Sequence, residues 1–386
     1  MLLPFIYFYK SGSKYKIVFY VFGIKFLSLS MITRWSPTKD LNKRHIPRTI
    51  ATMPPLRPLL IILICILAST LQSQVAADQP FWFQPHDATA QDNAYNTTAH
   101  YALQWWYCDA MLSGNYSATV GILTLGAHAT SGFFLLQINI YTHGELLTHH
   151  SKLLPIRSLM FSMNESRVSY HGTDIIHTYL NNDQHLCLAV NLTLNDLGVN
   201  LLYTGTTPGW IGDTGLGMWG CPLPKATVNG TITVHGEQIP VQGTGYEEHG
   251  WDIRHLHRSW QWGKITTNHF NIIFSKAMHN RWKEDLLYAI INTNDSYVSI
   301  QPQHITLRPL RTILSHGRLI PLESLLEIHE NPYTITVLLQ VQTIHYQHVA
   351  TTQYWRFFVH ATGSITCNNV TEPIDDVQIM EFFHRL

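Results

Sequence analysis

The sequence predicts an all-β protein with many antiparallel strands. After residue 78, apolar and polar residues alternate through most of the chain, and β-branched and aromatic residues dominate these stretches. The 3.6-residue period of amphipathic helices is almost absent. Dipeptides that favour tight turns separate the stretches: Asn195-Asp196, Asn229-Gly230, His235-Gly236 and Asn294-Asp295. These features are typical of β-sandwiches and β-barrels.

The alternation defines the expected strands one by one. In chain order they lie within residues 117–127, 132–144, 185–194, 197–205, 230–241, 263–275, 285–294, 333–346 and 353–367. Only the tail, residues 372–386, suits a short helix, because Asp375 and Asp376 would favour its first turn.

One segment, residues 206–224, interrupts the alternation with five glycines, three prolines and two tryptophans. We interpret it as a long structured loop near a domain boundary, because flexible linkers seldom carry large aromatic side chains. The chain after residue 77 is long enough for two β domains of ordinary size. We place these domains at residues 78–224 and 225–386.

The N-terminal part is interpreted as two segments outside these domains. Residues 1–52 carry nine Lys/Arg and a single acid without clear periodicity, which suggests a basic leader, a disordered arm or a true start at Met53. Residues 53–77 have the order of a secretory signal peptide, with Arg57, an apolar run and small residues up to Ala77. The run is short for a hydrocarbon core of ~30 Å. We therefore expect cleavage and secretion without stable membrane insertion, with an uncleaved signal anchor as the alternative.

The composition after residue 77 is acidic, with 15 Lys/Arg against 24 Asp/Glu. This balance argues against nucleic-acid binding, which needs a basic face. An even number of cysteines favours two disulfides of unspecified pairing among Cys108, Cys187, Cys221 and Cys367. Asn-x-Ser/Thr sequons agree with a glycosylated secreted protein and begin at Asn96, Asn115, Asn164, Asn191, Asn229, Asn294 and Asn369.

Two stretches concentrate aromatic rings beside polar groups. The first is Gln104-Trp105-Trp106-Tyr107, in which adjacent tryptophans on a strand would point to opposite faces. The second runs from Gly243 to Gly263 and holds two adjacent glutamates, three histidines and three tryptophans. Its sequence is GTGYEEHGWDIRHLHRSWQWG.

Together these stretches resemble the AttH-like, carotenoid 1,2-hydratase-like family of lipocalin-related proteins. The resemblance rests on the first stretch, on Gly243-x-Gly245-Tyr246-Glu247-Glu248-His249-x-Trp251 and on Trp260-x-Trp262-Gly263. It implies two consecutive lipocalin-like β domains from residue 82 onward, with a ligand pocket in or between them. It also implies an apolar polyene, isoprenoid-like or polyketide-like substrate, and either water addition to a double bond or a cyclisation. The family's hydratases usually carry Asp where this chain has Glu248.

The residues themselves suggest how such a site would work. Protonation of an unactivated alkene needs a carboxylic acid whose pKa is raised by burial, and ring faces that stabilise the resulting cation. We expect Glu248 to be the acid and Tyr246 its hydrogen-bond partner, on one face of a strand. His249 and Trp251 would share the opposite face and support the site from there. The ligand-binding candidates are Trp219, Trp251, His249, Trp105 and Trp106.

The sequence leaves other interpretations open. Glu248 could be a structurally paired carboxylate, both tryptophans of the first stretch could be core residues, and the pocket could serve a non-catalytic carrier of an apolar ligand. A transition-metal site is a further alternative, formed by Glu247, His249, His255 and His257. Our prediction is nevertheless a hydrophobic small-molecule ligand with no metal and no cofactor. A serine hydrolase is not expected, since G-x-S-x-G does not occur.

Overall fold

The computed structural model forms two compact units, Met1–Ala76 and Ala77–Leu386. In the first unit it describes the backbone of three strands. In the second it describes residues 81–96, 103–128, 131–162, 166–252, 259–278, 285–349, 352–368 and 370–385.

The first unit contains a three-stranded antiparallel sheet in the order β1-β2-β3. Its strands are β1 (Phe5–Ser11), β2 (Lys14–Val21) and β3 (Ile24–Ile32). The sequence predicts no regular element here, because apolar, aromatic and basic residues mix without a period of two. The predicted signal peptide at residues 53–77 lies outside the described residues.

The second unit holds two antiparallel sheets, which confirms the all-β fold. The strands of its first sheet are β4 (His86–Asp87), β5 (Gln104–Leu112), β6 (Tyr116–His128), β7 (Ser131–Thr142), β8 (Glu145–Pro155), β9 (Leu159–Ser162), β10 (Arg167–Tyr170), β11 (Thr173–Leu180), β12 (Leu186–Leu194), β13 (Leu197–Gly205), β14 (Trp210–Asp213), β15 (Met218–Val234) and β16 (Glu237–Trp251). The strands of its second sheet are β17 (Ser259–Thr266), β18 (Asn271–Met278), β19 (Leu286–Asn292), β20 (Tyr297–Ser299), β21 (Ile305–Ser315), β22 (Arg318–Glu330), β23 (Tyr333–Val349), β24 (Thr352–Cys367) and β25 (Val370–Arg385).

Short 3₁₀ turns are the helical elements that the structure describes in this unit. They span Ala90–Asn93, Ser113–Asn115, Ile156–Ser158 and Pro302–His304. Among the described residues, no helix has the length and apolar character needed to cross a membrane.

The first sheet curls toward a barrel. Its main path is β8-β7-β6-β5-β16-β15-β13-β12-β11-β10-β9, and β4 and β14 attach beside β15. The two ends of this strand order lie close together. Lys152 on β8 donates a hydrogen bond to the hydroxyl of Tyr170 on β10 at 3.0 Å. Alternating aliphatic side chains fill the interior, among them Ile122, Leu188 and Leu201.

The second sheet has the order β20-β19-β18-β17-β25-β24-β23-β22-β21 and a separate aliphatic core. Its β17 lies beside the last strand, β25, so the C-terminus closes this sheet next to its beginning. The chain passes from one sheet to the other between Trp251 and Ser259. The predicted boundary between residues 224 and 225 falls inside β15, which belongs to the first sheet.

The glycine- and proline-rich segment is a strand pair rather than a long loop. β14 pairs with the start of β15, and β15 then continues as one irregular strand. Its register shifts between Gly220 and Leu223 and again between Leu223 and Ala226, where Pro222 and Pro224 lie. Proline cannot donate to a sheet ladder, so it is accommodated at such bulges. A strand of this kind lacks the alternation that sequence patterns detect.

The predicted C-terminal helix is wrong, because the tail forms β25. This strand pairs with β24 on one side and β17 on the other, so its backbone groups are satisfied in the ladder. Asp375 and Asp376, which suggested a first helical turn, are exposed on this strand instead. Ile379 and Met380 are buried.

The predicted disulfides are also wrong, since the four cysteines after residue 77 are all free. Cys108, Cys187 and Cys221 are buried on three different strands. The Cys221 Sγ donates a hydrogen bond to the backbone oxygen of Glu247 at 3.3 Å. Burial raises the pKa of the Cys108 and Cys221 thiols well above 9, so both behave as small apolar side chains.

Candidate active site

The two aromatic-rich stretches are neighbouring strands. β5 and β16 pair antiparallel, with Tyr107 opposite Glu248 and Trp105 opposite Gly250. A Cβ at Gly250 would lie 2.1 Å from an atom of the Trp105 ring. Glycine at this position therefore allows the Trp105 indole to lie across β16, beside Glu248.

Glu248 accepts three hydrogen bonds from surrounding side chains. Trp105 Nε1 donates to Oε1 at 3.0 Å, and Trp219 Nε1 donates to Oε2 at 2.7 Å. The Tyr246 hydroxyl also donates to Oε2, at 2.7 Å. Trp219 comes from β15, which pairs with β16 on the side away from β5. The three donors fix the carboxyl group, and Oε1, with a single donor, can also carry a proton.

Burial gives Glu248 an unusually high pKa. Loss of solvation raises its pKa from 4.5 to about 7, although the hydrogen bonds from Tyr246, Trp219 and Trp105 act in the opposite direction. Burial also raises the pKa of Tyr246 well above 10, so this residue remains a neutral donor. Near neutral pH, Glu248 is therefore present in both protonation states, as a general acid or base requires.

An aromatic cavity lies against Glu248. The space in it is about 480 Å³ when its open mouth is counted. Its lining residues are Trp105, Thr214, Leu216, Trp219, Glu248, Trp260, Trp262, Ser275, Ala277 and Tyr288. Glu248 is the only carboxylic acid among these described lining residues. The predicted residues Trp105, Trp219 and Glu248 thus meet at one cavity, with Tyr246 bonded directly to Glu248.

Half of the described residues in the cavity wall come from the second sheet. None of these residues was among the site residues predicted from the sequence. Trp260 and Trp262 lie two residues apart on β17, so their rings are on the same face. The Trp-x-Trp spacing was visible in the sequence and could have identified them. Ser275 and Tyr288 had no comparable signal, because their strands read as ordinary alternating core strands. The cavity therefore lies where the two sheets meet.

Trp106 and His249 lie on the opposite face of β5 and β16, inside the first sheet. Their rings stack 4.5 Å apart with an interplanar angle of 6°, and both side chains are fully buried. The Trp251 ring packs on His249 at 4.6 Å. These three predicted ligand-binding residues are absent from the cavity wall. They support β16 from behind, as the alternation of strand faces predicted for His249 and Trp251.

Glu247 shares this inner face and is completely buried. Burial raises its pKa well above 4.5, although the nearby Asn93 amide acts in the opposite direction. The imidazole of His249 lies two residues away; its Nδ1 is 2.9 Å from the Asp92 carbonyl oxygen and therefore carries the proton. Its Nε2 is then an acceptor. Burial therefore favours the neutral, protonated form of Glu247.

We expect Glu247→Gln to stabilise the protein, and increasingly so at higher pH. Folding requires Glu247 to keep a proton that the unfolded chain loses above about pH 4.5, so this residue costs stability as pH rises toward its folded pKa. The glutamine amide does not titrate in this range and therefore avoids this cost. The stability difference should grow by ~1.4 kcal/mol per pH unit in that window. Urea unfolding at a series of pH values measures it, and a pH-independent difference would contradict the neutral-acid assignment.

Two buried ion pairs lie beside the site where the sheets meet. Lys264 on β17 binds Asp109 on β5, and its ammonium group lies 5.1 Å from the centre of the Tyr246 ring. Arg356 on β24 binds Glu381 on β25 at 2.9 Å. These residues are distant in the sequence, and no motif connects them, so sequence reasoning missed them. The Lys264–Asp109 pair joins the two sheets beside Tyr246. The Arg356–Glu381 pair lies within the second sheet, and the Tyr107 hydroxyl of β5 donates a hydrogen bond to Glu381 at 2.7 Å.

Two of the residues of the alternative metal site, His255 and His257, lie outside the described residues. Within the described residues, no three His, Cys, Asp or Glu side chains are grouped in a way that could hold a metal ion.

Comparisons with known proteins connect this architecture to solved structures. No family model matches the sequence, and no curated protein matches it. A crystal structure described as an AttH candidate from Nitrosomonas europaea matches with a TM-score of 0.55 and 14% identity, over 79% of this chain and 97% of that one. Kievitone hydratase from Nectria haematococca matches with a TM-score of 0.51 and 15% identity, over 80% and 98%. CghA with Sch210972 matches with a TM-score of 0.54 and 14% identity, over 80% and 96%.

At this level of identity the likeness establishes the fold. The two sheets, their connection and the coverage of nearly the whole of each solved chain agree with the resemblance found in the sequence. This chain therefore has the two-sheet, lipocalin-like fold of the AttH-like proteins.

Proposed function

We propose that this protein is an enzyme that adds water to, or cyclises, an apolar unsaturated small molecule by carboxylic acid catalysis at Glu248. One observation carries the proposal: a buried carboxyl group with a pKa of about 7 lies in the wall of an aromatic cavity. Wet surface carboxylates titrate near pH 4 and are poor proton donors at neutral pH. Glu248 is a far better donor under the same conditions.

The side chains around Glu248 define a balanced reaction. The Oε1 proton is transferred to one alkene carbon, forming a C–H bond and leaving the O–H electron pair on the carboxylate. The cation develops on the other carbon, against the indole faces of Trp105 and Trp219. In hydration, water adds to the cation and its surplus proton returns to Glu248. In cyclisation, an internal double bond forms the new C–C bond, and the proton then lost from carbon returns to Glu248.

The names of the solved neighbours support a reaction on an organic small molecule. One is named a hydratase, and another holds the small molecule Sch210972. Both descriptions are compatible with an organic substrate at the aromatic cavity. For this chain, the cavity lining favours an apolar substrate, since four of the ten lining residues are tryptophans.

We expect turnover to be highest in mildly acidic solution and to fall above about pH 7. Protonated Glu248 is the active form, and its fraction decreases tenfold per pH unit above its pKa of about 7. A profile of kcat against pH, taken with the substrate identified as described below, checks this result. A profile that is flat from pH 6 to pH 9, or that rises through this range, would show that Glu248 is not the acid.

The substrate can be identified by extracting the purified protein with organic solvent and analysing the extract by mass spectrometry. Candidate polyenes, isoprenoids and polyketides are then incubated with the enzyme. A product heavier by one water indicates hydration, and a product of unchanged mass with a new retention time indicates cyclisation. Recovery of an unaltered apolar ligand, with no turnover of any candidate, would indicate a carrier instead.

We further propose that the protein enters the secretory pathway. The order of residues in 53–77 and the exposure of sequon asparagines such as Asn115, Asn191 and Asn229 support this route. N-terminal sequencing of material from a eukaryotic culture medium should begin near residue 78. Treatment with an N-glycosidase should increase its gel mobility, and retention of residues 53–77 would favour the signal-anchor alternative.

A further inference from the structure

One hairpin of the second sheet exposes leucines in a basic setting. We name residues 308–319, from β21 and β22, the basic hairpin. Leu314 and Leu319 are cross-strand partners, so their side chains lie side by side on one face. They are 72% and 66% exposed, and Leu310 nearby is 45% exposed. Leu314 and Leu319 thus form a small exposed apolar patch.

The tip of the basic hairpin is fixed rather than loosely attached. His316 and Gly317 form its tight turn, with positive φ angles of 49° and 78°. The His316 ring stacks on Tyr346 at 3.5 Å, and Gln353 Nε2 donates to the His316 carbonyl oxygen at 3.0 Å. Trp355 Nε1 also donates to the hydroxyl of Ser315, at 3.0 Å. The fold therefore holds the two leucines in solvent.

The charge of this region is opposite to that of the chain around it. The basic hairpin has no acidic residue and contains Arg308, Arg311 and Arg318, of which Arg311 is ion-paired with Glu323 on β22 at 3.1 Å. Arg308 and Arg311 are exposed. Overall, 24 acids outnumber 15 Lys/Arg after residue 77. Arg308 and Arg318, for which the described residues show no ion-pair partner, leave a local positive charge in an acidic chain, and such a charge favours contact with an anionic surface.

We propose that the basic hairpin docks the protein on an anionic lipid bilayer. Leucine side chains can enter the boundary between headgroups and acyl chains, while guanidinium groups remain with the lipid phosphates. A stable protein interface buries about 1,600 Å², far more than a patch of two or three leucines provides. Membrane association, in contrast, is built from a few apolar side chains and several basic ones. This role does not depend on the chemistry proposed at Glu248.

The test is co-sedimentation of the purified full chain with vesicles. We expect binding to mixed phosphatidylcholine and phosphatidylserine vesicles, weaker binding to pure phosphatidylcholine, and release by high salt. The double variant R308Q/R318Q should bind the mixed vesicles about 30-fold more weakly, since each basic residue contributes about fivefold. The variant L314Q/L319Q should also bind the mixed vesicles more weakly, because it lacks the two apolar side chains that would insert into the bilayer.

A matched control variant distinguishes binding through the basic hairpin from nonspecific binding through any exposed apolar side chain. L153Q/M160Q changes side chains that are 56% and 64% exposed on the first sheet, and it should bind vesicles as well as the unmodified chain. Circular dichroism verifies that each variant is folded. Absence of vesicle binding by the unmodified chain, or equal losses in L153Q/M160Q, overturns the proposal. So does a dimer in sedimentation velocity that L314Q/L319Q dissociates while vesicle binding is absent, because the hairpin would then join two copies.

Discussion

Glu248→Gln should reduce turnover by about 10²–10⁴-fold while leaving ligand affinity nearly unchanged. The amide keeps the shape of the side chain and an oxygen that can accept hydrogen bonds from Trp219 and Tyr246, but it cannot deliver a proton. The cavity walls are unaltered, so binding of an apolar ligand should persist. Single-turnover kinetics and a direct binding measurement, made on the same preparation, separate the two effects.

Glu247→Gln is the matched control for this experiment. It makes the same chemical change one residue earlier, on the face of β16 that points away from the cavity, and it should retain turnover. If both variants lost turnover equally, the loss would reflect damage to β16. If Glu248→Gln retained full turnover, the carboxyl group would not be the acid. If no substrate turned over with the unmodified chain but an apolar ligand bound, the carrier interpretation would replace the enzyme.

Asp109→Asn should destabilise the folded protein by about 3–5 kcal/mol, the usual cost of leaving one member of a buried ion pair without its partner. Lys264 is almost fully buried, and burial already lowers its pKa while Asp109 holds it up. Without the carboxylate, the folded state favours neutral lysine, which the unfolded chain has only near pH 10.5. The stability of the variant should therefore rise with pH, and urea unfolding between pH 7 and pH 10 measures this rise.

The double variant Asp109→Leu/Lys264→Met distinguishes a missing partner from a packing defect. Replacement of a whole buried ion pair by apolar side chains of similar volume is often neutral or stabilising. We expect the double variant to recover most of the lost stability and to lose the rise with pH. A double variant as unstable as Asp109→Asn would show that the pair is needed for the shape of the contact between the sheets.

The sequence by itself determined the fold class and identified the residues that we propose as the centre of the site. Alternation with a period of two appears wherever one strand face is buried, so most strands could be found from the pattern alone. The same alternation assigned Tyr246 and Glu248 to one face and Glu247, His249 and Trp251 to the other. Both results are local, because the direction of a side chain on a regular strand depends only on its position in that strand.

Tertiary structure decided whatever depends on pairing between distant strands. β25 resembles a helix in isolation, yet two flanking strands satisfy its backbone. β15 resembles a loop, yet bulges accommodate its prolines within a sheet. The second-sheet half of the cavity wall, with Trp260, Ser275 and Tyr288, comes together only when the sheets meet.

The raised pKa of Glu248 also depends on tertiary structure. A glutamate has the same intrinsic pKa anywhere in a chain, and its value near 7 arises from the loss of water around it. That loss is produced by Trp105, Trp219 and the tryptophans of β17, which three separate strands bring against Glu248 on β16. The sequence supplied the carboxyl group and the rings, and the packing of the two sheets made them a chemical site, because solvation is set by neighbours in space and not by neighbours in sequence.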